Sequence, residues 1–418
     1  MKRYDVAIVG GGASGLAAAI EIGMLDANIS VAIIEKNDAL GRKIRATGNG
    51  RCNITNKNAN GYLEIMKWLL KVGIMTRSCD GDLVYPYSES AADVVELLTD
   101  RVNELGVDVI LNAAVTDVDK TDAGYAIKYS ESTPSGATNR KVLDVAKVVL
   151  AVGGKAGPAF GTTGDGYAIA RKLGHTVVTP IPVLTSVECA EWDKEARPSA
   201  GSLAGVRARG VVSLYNEGSK LFEEAGEIQF TKYGLSGICI FNMTRFMRYN
   251  RAEGEELGQF RISLNLFPEG EIGELMSVTG AEGRDALRTV VKKELADYVM
   301  AQGIESIHDL TFTPSAIRGW KDAQATAGGV DLGEIDPETC ESRLNEGLYI
   351  TGELLDYDGP CGGYNLSNAW LTGLKAARGI ADKPRKKRVG VAKEEMIVPD
   401  DLDWCNDEIA MLFEESEM

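Results

Sequence analysis

The stretch YDVAIVGGGASG at residues 4–15 decides the fold of this chain, because an apolar run there meets the pattern G-x-G-x-x-G. Small residues suited to a helix follow, and a second apolar run, Ile29–Ile34, ends on Glu35. This order is typical of a βαβ unit that binds a dinucleotide: a strand, the glycines, a helix, a second strand and an acidic residue. The sequence therefore predicts a Rossmann-like domain of the α/β class.

Each glycine of the pattern has a separate expected role. Gly10 permits a tight turn, Gly12 lets the backbone approach a pyrophosphate, and Gly15 lets the helix pack closely on the strand. The diphosphate is expected beside Ala13 and Ser14, because unpaired N–H groups and the dipole at a helix N-terminus favour negative charge.

Glu35 is the expected ligand of a ribose. It lies twenty residues after Gly15, where an acidic side chain accepts hydrogen bonds from a ribose 2′-hydroxyl, and Lys36 follows it at the same site. A carboxylate there would repel a 2′-phosphate, so an NADP-type ligand is disfavoured at this position. The motif by itself leaves FAD and NAD both open.

Composition narrows the class of protein and its partners. The chain has 418 residues, enough for two or three domains. Its net charge is −16, from 45 basic and 61 acidic residues, which argues against binding to nucleic acid or to an anionic membrane. No apolar run reaches the ~18–20 residues that span a bilayer. We expect a small-molecule substrate, with an oligomer left open.

The numbers and spacing of the cysteines and histidines indicate the cellular compartment and limit the kinds of catalytic or metal site that we expect. Seven cysteines are scattered without a C-x-x-C pair, and the N-terminal methionine leads directly into the first strand. These features favour free thiols in a reducing cytoplasm. Only two histidines occur, His175 and His308, so we expect no histidine-rich metal site and no Ser-His-Asp triad.

A polar, glycine-rich and cationic segment, Gly41–Asn56, follows the ribose-binding acid. Its cations could neutralise a diphosphate, and its amide and guanidinium groups could donate to the N1–C2=O2 edge of a reduced flavin. A solvated basic loop is the alternative. The cofactor-binding residues predicted in this segment are Gly41, Arg42, Lys43, Thr47, Gly48, Asn49, Gly50, Arg51, Cys52 and Asn53.

With this segment the sequence resembles the bacterial FAD-dependent flavoproteins of the BaiN type, also described as HI0933-like. That group includes reductases of bile-acid dehydro-intermediates, proteins described as aminoacetone oxidases, and many members of unknown activity. The resemblance covers roughly residues 1–382, and its most specific parts are Gly41–Asn56 and Gly347–Gly373. It implies FAD as the cofactor but does not identify the substrate.

The later part of the chain supplies the rest of the expected FAD site. A buried strand ends at Gly153 and Gly154, and a final strand leads to a new glycine-rich turn and helix. This return to the nucleotide-binding domain favours FAD over NAD, because the helix N-terminus can face the flavin N1–C2=O2 edge. The resemblance adds backbone contacts from Val115 to the adenine. The C-terminal residues predicted to bind FAD are Gly352, Glu353, Gly363, Tyr364, Asn365 and Leu366.

We expect a Rossmann-like FAD-binding domain of the two-dinucleotide-binding-domain type, with an inserted β-barrel-like domain and a short helical cap. A hairpin of Tyr125–Tyr129 and Val142–Ala146, a separate parallel strand at Lys147–Gly154, and one amphipathic cap helix at Arg284–Gln302 are predicted. The predicted limits are 1–190 and 326–382 for the FAD-binding domain, 191–267 and 310–325 for the inserted domain, 268–309 for the cap, and 383–418 for a charged tail.

Three classes of chemistry remain open. The first is a reductase, in which NAD(P)H reduces FAD and the hydride passes to an activated C=C bond such as an enone. No second nucleotide motif is present, so NAD(P)H would use the same cleft in turn. The second is an oxidase of a small amine or hydroxy compound that uses O₂. The third is an FAD-dependent enzyme that modifies RNA or protein, or a flavoprotein with a binding role. Candidate catalytic residues are Tyr364, Tyr233, Cys361 and Asp356.

One stretch of the inserted domain departs from the family pattern. Relatives carry Thr-His and Ser-Gly-Pro there, whereas this chain has Lys232 at the histidine position and Ile238 at the proline position. Any role of that histidine therefore passes to Lys232 or Tyr233, or is absent here.

Overall fold

The computed structural model describes residues 3–79, 81–132, 137–193, 195, 199–248 and 257–382. The predicted charged tail, residues 383–418, lies outside these ranges. Within them, no helix combines the length and apolarity that crossing a membrane requires.

The strands of the described residues are numbered in chain order. They are β1 (Tyr4–Val9), β2 (Val31–Ile34), β3 (Thr55–Asn56), β4 (Thr76–Cys79), β5 (Leu83–Pro86), β6 (Asp108–Ile110), β7 (Ala113–Thr121), β8 (Gly124–Ser132), β9 (Thr138–Leu150), β10 (Val177–Val183), β11 (Val187–Cys189), β12 (Arg207–Asn216), β13 (Ser219–Phe230), β14 (Gly234–Ser236), β15 (Phe260–Asn265), β16 (Leu310–Phe312), β17 (Pro314–Ile317), β18 (Ala325–Val330) and β19 (Leu348–Ile350).

The α-helices of the same residues are numbered likewise. They are α1 (Ala13–Leu25), α2 (Tyr62–Lys71), α3 (Ala91–Glu104), α4 (Asp165–Lys172), α5 (Ile238–Thr244), α6 (Ile272–Thr279), α7 (Gly283–Leu287), α8 (Lys293–Gln302) and α9 (Tyr364–Ala381).

The predicted βαβ unit lies at the centre of the first sheet. The strand order is β6-β2-β1-β9-β8-β7, and β19 also pairs with β9. Strand β1 is parallel to both β2 and β9, with Val9 opposite Ile34 and Leu150. Because the carboxyl ends of parallel strands meet at one edge, the segments that follow β1, β2, β9 and β19 converge there.

The predicted hairpin is confirmed by the antiparallel pairing of β8 with β9, but the predicted break between its second strand and the parallel strand is wrong. The second hairpin strand and the parallel strand form one continuous strand of 13 residues. Its first part pairs antiparallel with β8, and its last part is parallel to β1 and β19. The reason is that the sequence from Val142 to Leu150 contains no glycine or proline that would end a strand.

The inserted sheet is antiparallel and curls on itself. Its order is β16-β15-β12-β13-β14-β11-β17. Strands β16 and β17 lie at opposite ends of this order, yet Thr313 alone separates them in the chain. The two edges must therefore come together, which gives the barrel-like shape. This sheet has its own core, separate from that of the first sheet. The two cores support the proposed division into domains, whose limits stay a prediction.

The cap is three short helices rather than one long amphipathic helix. The prediction of a helix over Arg284–Gln302 is wrong, because α7 ends at Leu287 and α8 begins at Lys293. Lys292 has extended backbone with ψ of 154°. The intervening Thr289-Val290-Val291 are β-branched residues, which lose side-chain freedom in a helix and weaken it.

Candidate functional site

A cleft lies at the carboxyl edge of the first sheet, where the convergent segments meet. Its volume is about 1330 Å³ when the part open to solvent is included. The predicted cofactor-binding residues that line it are Gly10, Gly12, Ala13, Ser14, Glu35, Lys36, Gly41, Arg42, Lys43, Thr47, Val115, Gly153, Gly352, Glu353, Asn365 and Leu366.

The three glycines differ in what surrounds them. Gly10 has a φ of +104°, and a Cβ there would lie 2.5 Å from the carbonyl oxygen of Ala151. A Cβ on Gly15 would lie 2.0 Å from the Gly10 oxygen. In contrast, no atom of the described residues lies within 4 Å of a Cβ built on Gly12. Gly10 and Gly15 thus serve the fold, and the bare face of Gly12 opens into the cleft.

The start of α1 has the geometry of an anion-binding site. Gly12 is the N-cap residue, and no described side chain caps this helix end. The first turn contains no acidic residue. The N–H groups of this turn are therefore available to an anion, and the helix dipole favours one.

Glu35 is held rigidly at the end of β2. Its Oε2 accepts a hydrogen bond from the Gly11 N–H at 2.7 Å, and its Oε1 accepts from the Asn37 N–H at 2.8 Å. The residue is 7% exposed. An ionised carboxylate has about four lone-pair sites, so it can still accept a hydrogen bond from a sugar hydroxyl. This arrangement fits the predicted ribose ligand.

The cations beside the cleft are already paired. Lys43 Nζ lies 2.6 Å from Glu353 Oε2, and the other oxygen of Glu353 accepts from the Thr326 N–H at 2.8 Å. Lys36 pairs with Asp165 at the start of α4. Lys43 and Glu353 are 310 positions apart in the sequence. The ion pair therefore joins the Gly41–Asn56 segment to the C-terminal return.

Further hydrogen bonds connect the same two segments. Asn56 Nδ2 donates to the Gly362 oxygen at 2.9 Å, and Trp370 Nε1 donates to the Ile54 oxygen at 3.0 Å. The Asn53 amide, oriented to satisfy its neighbours, accepts from the Gly363 N–H at 3.2 Å. These bonds fix the start of α9 against the loop that follows Glu35.

Some predicted cofactor-binding residues lie beside the cleft and do not line it. Gly48, Asn49 and Gly50 all have positive φ, and Asn49 and Gly50 are exposed. The Asn53 amide is occupied by main-chain groups, so it is not the free donor that was predicted. The residues without a place in the cleft lining are Gly15, Gly48, Asn49, Gly50, Arg51, Cys52, Asn53, Gly154, Gly363 and Tyr364.

Comparison with known proteins decides the family. The family model described as the HI0933-like protein Rossmann domain matches residues 4–63 and 60–379. The chain belongs to the HI0933-like family. The resemblance found in the sequence is therefore confirmed, and so is the Rossmann-like fold.

Two kinds of curated HI0933-like relatives match almost the whole chain. One is a 3-dehydro-bile acid delta(4,6)-reductase of Clostridium scindens, 32% identical over 91% of this chain and 99% of the relative. Another is a ribosomal RNA dihydrouridine synthase of Escherichia coli, 26% identical over 91% of this chain and 98% of the relative.

One solved structure, a complex with the steroid 4-androstene-3,17-dione, has a fold that resembles this chain weakly. It is a 3-ketosteroid-delta4-(5alpha)-dehydrogenase from Rhodococcus jostii RHA1, 14% identical over 91% of this chain and 97% of that chain. Its TM-score is 0.47, so it carries no argument about function.

None of the four catalytic candidates is among the residues that line the cleft of this HI0933-like chain. Asp356 Oδ1 accepts from the Gly328 N–H at 3.0 Å, which gives this carboxylate a structural role. The Arg318 guanidinium lies over the Tyr233 ring, 4.6 Å from its centroid. Tyr364 is the half-buried first residue of α9.

Cys361 lies close behind the cleft. Its Sγ is 3.9 Å from the Gln324 Oε1, and Gln324 lines the cleft. Burial is the main cause that raises the pKa of the Cys361 thiol to about 12, and the charge of Glu224 raises it further. Burial likewise raises the pKa of Cys52 to about 11. Both thiols stay protonated near neutral pH, which excludes them as thiolate nucleophiles.

We expect Cys361 to resist alkylation in the folded protein. A shift from 9.0 to about 12 lowers the thiolate fraction at pH 8 by roughly a thousandfold relative to the denatured chain. Reactivity should rise about tenfold per pH unit, because the folded pKa is raised and the thiolate forms only near pH 12. Peptide mass spectrometry after iodoacetamide treatment measures this, with the half-buried Cys79 as reference. Alkylation of Cys361 at the denatured rate would contradict the assignment.

Residues that sequence reasoning missed also line the cleft, among them Phe160, Gln324 and Tyr357. Phe160 and Gln324 follow no motif, and only the fold brings them to this edge. Tyr357 carried a signal, because a large aromatic residue stands among the polar and glycine residues between the last strand and α9.

Proposed function

We propose that this chain is an FAD-dependent oxidoreductase in which NAD(P)H drives the reduction of a C=C bond conjugated to a carbonyl. The observation that carries the proposal is the cleft, where an uncapped helix start, a fixed acid and a second helix start meet. The relatives support the reaction type. One is named for reducing double bonds of a dehydro-bile acid, and the other for making dihydrouridine, in which a ring C=C bond is saturated.

The residues of the cleft fit FAD along its whole length. The diphosphate would lie on the N–H groups after Gly12, and the adenosine ribose on Glu35. Val115 would flank the adenine, and Asn365 with Leu366 would face the flavin ring. When bound, FAD supplies hydride transfer at its N5 atom.

The start of α9 prepares the cleft for negative charge. Gly363 caps this helix of 18 residues with a φ of 95°, and no described side chain occupies its N–H groups. The first turn has no acidic residue. The helix dipole would therefore stabilise charge that develops on the flavin edge during reduction.

We infer a small-molecule substrate rather than RNA. The net charge of −16 opposes association with a polyanion, and the RNA-modifying relative is less similar than the bile-acid reductase. The sequence carries one G-x-G-x-x-G unit, so NAD(P)H would enter the same cleft before the substrate. The six described cysteines are free thiols, which supports the inference of a reducing cytoplasm.

The test is an anaerobic assay of the flavin-loaded protein. NADH or NADPH should bleach the visible band of the oxidised flavin, and consumption of the nicotinamide should then require an enone such as cyclohexenone or a 4-en-3-one steroid. The saturated ketone should form in equal amount. Failure of both nicotinamides to bleach the flavin, with peroxide released from an amine in air, would show an oxidase instead.

A further inference from the structure

Tyr357 places a phenol in the cleft at the start of α9. Its side chain is half-buried and lines the cleft, and its hydroxyl has no hydrogen-bond partner among the described residues. A Cβ built on Gly359 would lie 3.2 Å from this hydroxyl and 2.7 Å from Tyr364 Cβ. The same point is 3.6 Å from Asn365 Oδ1. The hydroxyl therefore lies beside the first residues of α9, at the end of the cleft that suits the flavin ring.

The turn that carries Tyr357 is fixed from two sides. Gly359 exchanges two hydrogen bonds with the Asn365 amide, at 2.8 and 2.9 Å. Asp358, whose side chain is 5% exposed, pairs with Arg245 at 2.8 Å and Arg248 at 2.7 Å. Arg245 is the C-cap residue of α5 in the inserted domain, and Arg248 lies three residues further along the chain. The turn that carries the phenol is thus fixed by contacts to α9 and to the arginines that follow α5, which limits the positions that the phenol can take.

We propose that Tyr357 is the proton donor for the second half of the reaction. The assignment rests on the proposed function. When bound, FAD would supply a hydride for the β-carbon of the substrate, and the C=C electron pair would move toward the carbonyl. The O–H bond of Tyr357 breaks as a C–H bond forms at the α-carbon, and water returns a proton to the phenolate.

The surrounding charges favour a stable phenol. Burial is the main cause that raises the pKa of Tyr357, Asp358 and Tyr364 raise it further, and Arg245 opposes the shift. The hydroxyl therefore keeps its proton at neutral and moderately alkaline pH. Arg245 is also placed to stabilise the phenolate left after proton transfer. By contrast, the carboxylate of Asp356 is occupied by a main-chain N–H.

The test compares Tyr357→Phe with Tyr215→Phe. Tyr215 is a matched control in the inserted domain, where the Arg261 guanidinium lies 4.4 Å from its ring centroid. In Tyr357→Phe, the rate at which NAD(P)H reduces the bound flavin should stay within about twofold of the wild-type rate, because this half-reaction needs no proton donor. Reoxidation of the flavin by the enone should slow by about 10²–10⁴-fold, the usual contribution of a general acid. Tyr215→Phe should change neither rate.

Two readouts separate a proton donor from a structural role. In D₂O the wild-type product should carry deuterium at the α-carbon in one configuration, and Tyr357→Phe should give a mixture. The dissociation constant of the enone for the oxidised holoenzyme, read from the shift of the flavin band, should change little in Tyr357→Phe, because the phenol donates to carbon and acts only in the transition state. A large loss of enone binding would indicate a structural role instead.

The possible failures are distinguishable. Equal reoxidation rates and one product configuration in Tyr357→Phe, in an enzyme that reduces enones, would overturn the assignment of Tyr357 alone. A wild-type enzyme that neither binds nor reduces an enone would overturn the proposed function together with it. Melting temperature and flavin content of the variant confirm that it is folded and loaded.

Discussion

Replacing Gly12 with aspartate should abolish FAD binding and leave the apoprotein folded. Gly12 has φ of −80° and ψ of −168°, a conformation in which aspartate is a favoured N-cap. Its carboxylate would accept hydrogen bonds from the N–H groups of the first turn of α1, which stabilises the helix by about a few tenths of a kcal/mol relative to glycine. The same carboxylate would then repel the diphosphate. Like charges about 4 Å apart near a surface cost about 4 kcal/mol, or roughly a thousandfold in affinity.

A matched substitution elsewhere isolates the effect of position. Lys292 is the N-cap of α8, with φ of −63° and ψ of 154°, and its side chain makes no capping bond. Lys292→Asp should stabilise the protein by about 1 kcal/mol, because lysine makes no capping bond there, and should retain full flavin content. Flavin absorbance, FAD titration of the apoproteins and thermal unfolding measure both variants. A Gly12→Asp protein that purifies with full flavin would show that the diphosphate does not lie at this helix start.

Trp370→Ala should be the most destabilising single substitution considered for the FAD-binding domain. The side chain is 0% exposed, its ring centroid is 5.6 Å from that of Trp68, and its Nε1 bonds to Ile54. Truncating a fully buried tryptophan to alanine costs about 3–5 kcal/mol. The loss also releases the Gly41–Asn56 segment from α9. We therefore expect a lower urea midpoint and weaker FAD binding together.

Conservative variants separate packing from hydrogen bonding. Trp370→Phe leaves the Ile54 carbonyl without its donor, which costs about 1–3 kcal/mol in addition to the lost volume. Trp68 is equally buried, but its Nε1 has no partner among the described residues. Trp68→Phe should therefore cost less than Trp370→Phe. Equal losses would show that the bond to Ile54 does not fasten the segment.

The features that were predicted correctly are local in sequence. The pattern at residues 4–15 encodes a turn, a helix start and a close packing contact, and each follows from the size of a single side chain. The C-terminal return was predictable for a similar reason, because glycine, strand and helix signals are adjacent there. The family followed from the length and unusual composition of Gly41–Asn56.

The features that were missed depend on backbone direction and on distant contacts. Composition suggested that Gly48–Asn53 would bind the cofactor, whereas none of these residues is among those that line the cleft. Strand β9 was divided because its two parts have partners of opposite direction, which periodicity does not show. Tyr357 was overlooked because its position depends on Asp358 and Gly359, whose partners lie just after α5 and at the start of α9.

A single-turnover experiment tests the central claim most directly. The flavin-loaded protein is reduced anaerobically with NAD(P)H, separated from excess nicotinamide, and mixed with one equivalent of enone. We predict that the oxidised flavin band returns and that one equivalent of saturated ketone forms. A flavin that stays reduced until O₂ is admitted, with the enone recovered unchanged, would contradict the assignment of this cleft to C=C reduction.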